Sequence, residues 1–396
     1  MTTTQDPIVI VGAARTPIAA FQGEFSSLTA PELGRVAIAA ALARAGVAPD
    51  QVEELIFGCV LPAGLGQAPA RQAALGAQLP LSTNCTTVNK MCGSGMKATM
   101  LANDLLAVGS ASVIVAGGME SMTNAPYLIP KARGGYRIGH AMIYDHMMLD
   151  GLEDAYEKGR AMGTFGEDCA DKYHFTRAAQ DAFATESVRR AQAAGADGSF
   201  KWEIEPVNVT TKAGTSVIDS DEGPRRIKID KIATLKPAFK KDGTVTAASS
   251  SSINDGAAAL VLMRASEAQR RACQPIARIV GHASHAQAPG WFTTAPIGAI
   301  EKLYQRTGWS TPMVDLFEIN EAFAVVPMAA MVEHKIAHER INIHGGACAL
   351  GHPIGASGAR ILVTLLGALR KTGGKRGVAS LCIGGGEATA MAVEML

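Results

Sequence analysis

The run ASVIVAGGMESM at 111–122 is answered, close to the other end of the chain, by GVASLCIGGGEATAM at 377–391. Each is an apolar, strand-like stretch that ends in glycines and then reaches a glutamate. Working outward, the landmarks keep pairing in the same order. IVIVGAARTPIAA (8–20) corresponds to ARIVGHASHAQAP (277–289), VEELIFGCV (52–60) to VDLFEINEAFA (314–324), and GSGMKATMLANDLLAVG (93–109) to GASGARILVTLLGALRKTG (355–373). Four landmarks recurring in one order imply an internal duplication. The IVIVG and ARIVG runs read as buried strands that leave into a loop at the glycine. Strands alternate in both halves with helix-period segments such as APELGRVAIAAALARAGV (30–47), so mixed or parallel sheets with helices packed on them are expected.

Between the halves the composition changes. NAPYLIPKARGGYRIGHAMIYDHMMLDGL (124–152) crowds Tyr, Met, His, Lys, Arg and Gly together, and charged stretches such as DSDEGPRRIKIDK follow, with a helical segment RAAQDAFATESVRRAQAAG at 177–195. This reads as a loop-rich insert on a rigid scaffold, the usual place for ligand contacts. The expected division is an N-terminal half at 1–120, a loop domain with the return to the first half at 121–262, and a C-terminal half at 263–396.

At 396 residues, 47% apolar and with 42 glycines, the chain has material for a large α/β core. A net charge of +1 supplies no global field toward nucleic acid or a membrane surface. Seven cysteines are too sparse for a disulfide framework, which implies a reducing compartment. No basic-then-apolar leader opens the sequence and no apolar run approaches the roughly 20 residues that span a bilayer, so a cytoplasmic protein is expected. The pairs His334/His338 and His282/His285 lack the cysteines or carboxylates that would complete a zinc site, and no dinucleotide fingerprint or P-loop follows a strand. No metal and no organic cofactor are expected.

Chemistry concentrates in three segments. Cys92 lies in VNKMCGSGMKA, Cys382 in SLCIGGGEATAM, and His352 in GGACALGHPIGASGAR. A thiol at a strand end or helix start lies near backbone N–H groups and the positive end of a helix dipole, which favour the thiolate. Two such thiols and one imidazole suggest acyl transfer.

CGSG after VNKM, NEAFA from Asn320, GGACALGHPIGASGAR and CIGGG together closely resemble the thiolases, on the acetyl-CoA acetyltransferase branch, over essentially the whole chain. The resemblance implies a five-layered αβαβα fold of two duplicated halves with an inserted loop domain. It implies a reversible, ping-pong Claisen condensation of two acetyl-CoA to acetoacetyl-CoA and CoA through an acetyl-cysteine. Cys92 would be the nucleophile. His352 would take the thiol proton and later hold enolate charge, and Cys382 would be the base at the methyl of the second acetyl-CoA. Asn320, positioning a water, would form one oxyanion site with His352, and the N–H groups of Cys92 and Gly384 would form the other. Glu321 is read as a structural partner.

For coenzyme A the resemblance points to Ser251 at the pantetheine arm and Arg225 at the adenine nucleotide, with Lys131, Arg133 and Arg137 candidates for the phosphates. The run SSSS departs from the family's usual glycine- and asparagine-containing version. Met162, Phe239 and Phe292 match positions that close the short-chain acyl pocket, and Phe292 stands where the branch often has methionine. Ala161 replaces the histidine usual before Met-Gly. The nearest alternative is a 3-ketoacyl-CoA thiolase with a wider pocket; another is a binding protein that keeps the fold without turnover. The resemblance also implies a homotetramer, a dimer of dimers joined through about 127–146. Two activated thiols near one carbon further suggest a reversible Cys92–Cys382 disulfide.

Overall fold

The computed structural model describes residues 6–212 and 214–396. The duplication is visible strand by strand. In the first half the sheet runs Ile8–Arg15, Asn254–Arg264, Val113–Ser121, Glu54–Gly58, Asn84–Val88, with the first two contacts antiparallel and the last two parallel. In the second it runs Ala277–Ala286, Glu387–Met395, Arg376–Ile383, Leu316–Ile319, again two antiparallel contacts followed by a parallel one. A parallel bridge from Phe317 to Ile341 stands where the first half has its fifth strand. The two sheets meet where Val9 and Ile10 pair with Arg278 and Ala277.

The strands that open the halves share an irregularity that the sequence reading missed. In Ile8–Arg15 the register shifts between Ile10 and Gly12, and in Ala277–Ala286 it shifts between Ile279 and Gly281. The glycines therefore sit at β-bulges inside the strands, not at exits into loops, and the strands continue beyond them. Nor is the second of these strands buried like the first: only Ala277, Ile279 and Ala283 of its ten residues are buried, and Arg278 and Ala286 are exposed.

Two helices lie between the sheets, Ser94–Ala107 and Ile354–Thr372. In the second, the first sixteen residues are all buried, so it is covered on every side, and the polar Ser357, Arg360 and Thr364 among them are buried with the rest. Its opening turns, Gly-Ala-Ser-Gly-Ala, bring it against its counterpart: a Cβ on Gly95 would stand 2.7 Å from the Ala359 nitrogen, and one on Gly358 would collide with the Met96 nitrogen. Residues such as Ile10, Leu260, Met96, Leu362, Leu381 and Val393 share this central core.

Helices Ala30–Ala45 and Pro69–Gly76 cover the outer face of the first sheet, and Ala295–Thr307 and Val325–His334 that of the second. Ala30–Ala45 begins where the Glu32 carboxylate accepts from the Thr29 N–H at 2.7 Å and ends at Gly46, whose φ of 64° only glycine adopts without strain. The result is five layers, αβαβα. The insert contributes helices Gly163–Tyr173 and Arg177–Ala196, a hairpin of Val207–Thr211 with Gly214–Ile218, and an arm around 127–145 that is mostly exposed. Strand Asn254–Arg264 then returns the chain to the first sheet.

Candidate active site

All the chemistry-bearing segments emerge at the carboxyl ends of parallel strands or at the starts of the two central helices, where an α/β sheet leaves its crevice. Cys92, His352, Cys382 and Gly384 line one narrow cavity of about 60 Å³ together with Met91, Met162, Ser251, Phe292 and Phe323. Residues 290 positions apart in sequence thus share a single reacting volume.

Cys92 is the apex of a tight turn between strand Asn84–Val88 and the helix that starts at Ser94. The Lys90 carbonyl accepts from the Gly93 N–H at 3.0 Å, and Met91 O accepts from the Ser94 N–H at 3.0 Å and its hydroxyl at 2.6 Å. Met91 is left at φ 47°, a conformation that costs a non-glycine residue on the order of 1–3 kcal/mol and is tolerated where the surroundings fix it. Burial pushes the Cys92 thiol up to about 11, opposed by the N–H groups of Gly384 and of Cys92 itself. The same two N–H groups are the ones the family resemblance implies for an oxyanion site; here they face the resting sulfur. The expected thiolate preference is overturned, because loss of water outweighs the dipoles and the resting thiol is protonated. Burial and the neighbouring Cys92 also hold Cys382 well above the ordinary thiol range. All seven cysteines are free thiols.

A base is therefore needed, and the fold prepares one. His352 Nδ1 lies 2.6 Å from Ser357 Oγ, while the Ser357 hydroxyl donates to Pro353 O at 3.0 Å. With its one proton so committed, Ser357 accepts at Nδ1, which places the imidazole proton there and the lone pair on Nε2. Nε2 is buried and has no partner among the described residues. Burial, reinforced by the Arg360 charge, pushes the His352 pKa down to about 3, so the imidazole is neutral at rest. The backbone is fixed as well: the His352 N–H donates to Asn254 Oδ1 at 3.1 Å, and a Cβ on Gly351 (φ 103°) would strike that same side chain.

Asn320 follows strand Leu316–Ile319, and its N–H donates to Ser380 O at 3.0 Å, tying it to the strand that carries Cys382. Its Oδ1 accepts from Arg360 Nη2 at 3.4 Å, which leaves Nδ2 as a buried donor with no partner among the described residues. Asn320 does not itself line the cavity; Ala322 and Phe323 of the same segment do. Glu321 is structural, accepting from Ser187 Oγ at 2.7 Å, Asn342 Nδ2 at 2.8 Å and the Cys348 N–H at 3.0 Å.

The acyl-pocket candidates divide. Met162 and Phe292 reach the cavity, and Phe292 packs edge-on against Phe165 at 5.8 Å and tilted on Phe323 at 6.5 Å. Phe239 stands one layer back, edge-on to Phe323 at 6.0 Å and over Gly163, so it supports the wall without forming it. Ala161 is bridged to Glu153, and its carbonyl accepts from Thr164 Oγ at 2.8 Å. Ser251 lines the cavity and donates its N–H to Ala322 O at 2.9 Å. Arg225 is not brought to the thiols: it pairs with Glu24 at 2.6 Å and borders a separate cavity of about 760 Å³ beside Phe200 and Lys201. Lys131, Arg133 and Arg137 are exposed on the arm.

Several positions were not singled out from the sequence. Ser357 was hidden in a motif noted for its glycines. Glu120, fully buried, accepts from the N–H groups of Val60 (2.9 Å), Leu61 (3.1 Å) and Gly355 (2.8 Å) and so staples the first half to the start of the His352 helix. Burial raises it to about 7 against those donors. The buried pair Arg360–Glu318, 3.5 Å apart, lies behind Asn320. A glutamate after GG or an arginine after GASG is the only signal the sequence offered. Among the described residues no group of three or more His, Cys, Asp or Glu is placed to hold a metal, and no helix is long and apolar enough to cross a membrane.

A duplicated αβαβα core with two cysteines and a neutral histidine in one cavity defines a thiolase. The family models agree: the N-terminal thiolase domain matches residues 8–266 and the C-terminal thiolase domain residues 273–395. The chain belongs to the thiolase family. It is 53% identical to acetyl-CoA acetyltransferase 1 of Arabidopsis thaliana over 98% of this chain and 94% of that protein. It is 47% identical to the cytosolic acetyl-CoA acetyltransferase of Mus musculus over the whole of both. Its structure matches that of the Acat5 thiolase of Ascaris suum, solved in complex with coenzyme A, with a TM-score of 0.93 at 42% identity, covering 98% of this chain and 100% of that one.

Proposed function

We propose that this thiolase is an acetyl-CoA C-acetyltransferase in which Cys92, His352 and Cys382 divide one proton-transfer cycle between them. His352 Nε2 takes the Cys92 proton, the thiolate attacks the acetyl-CoA carbonyl, and the tetrahedral oxygen is held by the Cys92 and Gly384 N–H groups. The bond to the CoA sulfur breaks, and the departing thiolate takes its proton from Cys382. An imidazolium and a Cys382 thiolate remain, two charges that compensate each other where neither is stable alone. The thiolate removes a methyl proton from the second acetyl-CoA, and the enolate oxygen faces the imidazolium and a water positioned by the Asn320 amide. Attack on the acetyl group forms the carbon–carbon bond, the bond to Cys92 breaks, and Cys92 recovers its proton from His352. No metal or organic cofactor enters the cycle, and CoA thioesters are substrates only.

The observation that carries this reading is the convergence of both thiols and the lone pair of a neutral imidazole on a cavity of about 60 Å³, room for an acetyl group walled by Phe292 and Phe323. The relatives named acetyl-CoA acetyltransferase support the same substrate. Ser251 sits at the cavity for the pantetheine arm, and Arg225 remains a candidate for the adenine end. We place the reaction in the cytoplasm, and the assembly is a homotetramer: Tyr127 (65% exposed), Ile138 (101%) and Met142 (67%) give the arm an apolar surface that a lone subunit leaves in water. Thiolysis of acetoacetyl-CoA against 3-ketohexanoyl- and 3-ketodecanoyl-CoA, with Cys92→Ala as blank, tests the function. Preference for the four-carbon substrate is expected; equal or faster thiolysis of the longer chains overturns the substrate assignment.

A further inference from the structure

The two cysteine loops come from opposite halves of the chain, and they touch in a regular sequence. Gly93 lies under the Ile383 side chain so closely that a Cβ there would collide with it. One residue earlier on one loop and one later on the other, the Cys92 sulfur meets the Gly384 N–H. Further out, Lys90 Nζ forms an ion pair with Glu387 Oε2. The contacts 93/383, 92/384 and 90/387 run antiparallel along the two loops, with the charged pair as the outer closure.

Both partners are well placed to transmit position. The Lys90 N–H donates to Ser94 Oγ at 2.8 Å and its carbonyl accepts from Gly93, so Lys90 is part of the turn that sets the nucleophile. Glu387 opens the strand that follows Gly385 and Gly386, both at positive φ (90° and 86°), and it pairs across that hairpin with Ile383. A turn of three glycines has little stiffness of its own. On one side the turn is held by the Gln287 N–H, which donates to Gly386 O at 2.8 Å; toward the Cys92 loop its charged fastening is the Lys90–Glu387 pair, at a site where a shift of about 1 Å in the Gly384 N–H is costly.

We infer that Lys90 and Glu387 are positioning residues: their ion pair fastens the Cys92 turn to the Gly384 turn and thereby sets the oxyanion site used when Cys92 is acylated. The inference rests on the oxyanion role proposed above for the Cys92 and Gly384 N–H groups. Both side chains keep contact with water, 22% and 37% exposed, so the pair belongs with partly exposed ion pairs of modest strength. Its loss slows acylation about two- to fivefold without abolishing it.

The test is single-turnover acetylation with acetyl-CoA, reading CoA release and acetyl label on Cys92, for the wild-type protein, Lys90→Met, Glu387→Gln, the double variant, and the charge swap Lys90→Glu with Glu387→Lys. Each single variant is expected to acetylate about two- to fivefold more slowly with KM for acetyl-CoA within about twofold, the double to be no slower than the worse single, and the swap to recover most of the loss. Raising the salt concentration slows the wild type and leaves the double variant unchanged. Singles at the wild-type rate, or losses that multiply in the double variant with no recovery in the swap, overturn the pair's role. If the wild type itself is not acetylated on Cys92, the proposed mechanism fails first, and the two failures are told apart.

Discussion

Replacing Ser357 with alanine removes the group that fixes the imidazole without touching substrate. The bond from His352 Nδ1 to Ser357 Oγ is 2.6 Å long, and the two residues are 5% and 0% exposed, so water does not substitute for the lost hydroxyl. A buried N–H left without an acceptor costs about 1–3 kcal/mol. The imidazole escapes that cost by moving its proton to Nε2, the atom that has to accept the Cys92 proton. If the whole cost falls on the competent tautomer, kcat drops by roughly 5- to 150-fold, at about 1.4 kcal/mol per decade. KM for CoA stays within about twofold, because Ser357 lies behind the histidine. The assay is the initial rate of acetoacetyl-CoA thiolysis across CoA concentrations, with unfolding midpoints to verify the fold. Ser357→Cys, which keeps the volume and supplies a weaker acceptor, is expected between serine and alanine. A natively stable Ser357→Ala protein with kcat within twofold of wild type would refute the tautomer argument.

Other perturbations have equally definite signs. Folded His352 stays neutral down to about pH 3, whereas the unfolded chain binds that proton below about 6.5; stability is therefore intact above 6.5 and lost as pH falls toward 3, by on the order of 5 kcal/mol for this group. His344, held down to about 4 by burial, acts in the same direction. Urea unfolding of wild type and His352→Gln between pH 4 and 7 is expected to show a shallower decline for the variant, and parallel curves would contradict the buried neutral imidazole. Phe292→Ala opens the cavity wall and is expected to raise kcat/KM for 3-ketohexanoyl-CoA relative to acetoacetyl-CoA by about fourfold per accommodated methylene, taking about 0.8 kcal/mol for each. An unchanged ratio would remove Phe292 from chain-length selection. Ile138→Asp with Met142→Asp makes the arm hydrophilic and is expected to yield dimers by light scattering with thiolysis retained; tetramers persisting at low micromolar concentration would rule the arm out as the joint.

The sequence alone determined the duplication, sheets with helices packed on them, and the three reactive side chains Cys92, His352 and Cys382, because these depend on local signals. Apolar runs of strand length, small residues at helix starts and cysteines beside glycines are legible wherever they stand. Even there one physical term was misjudged: the dipoles near Cys92 were visible in the motif, but the burial that keeps the thiol protonated is a property of the packed core. The glycines of IVIVG and ARIVG likewise looked like strand ends, since a bulge is defined by the partner strand and not by the strand itself. Only the tertiary structure decided the contacts made over long sequence distances. Glu120 reaches Gly355 across 235 positions and Lys90 reaches Glu387 across 297, and no pattern within either segment announces its partner. The same holds for Arg225, paired with Glu24 away from the thiols, and for Phe239, set one layer behind the wall it was expected to form. Which side chain faces a cavity is fixed by how two independently legible halves dock, and the small residues that permit that docking do not say which neighbours it will bring together.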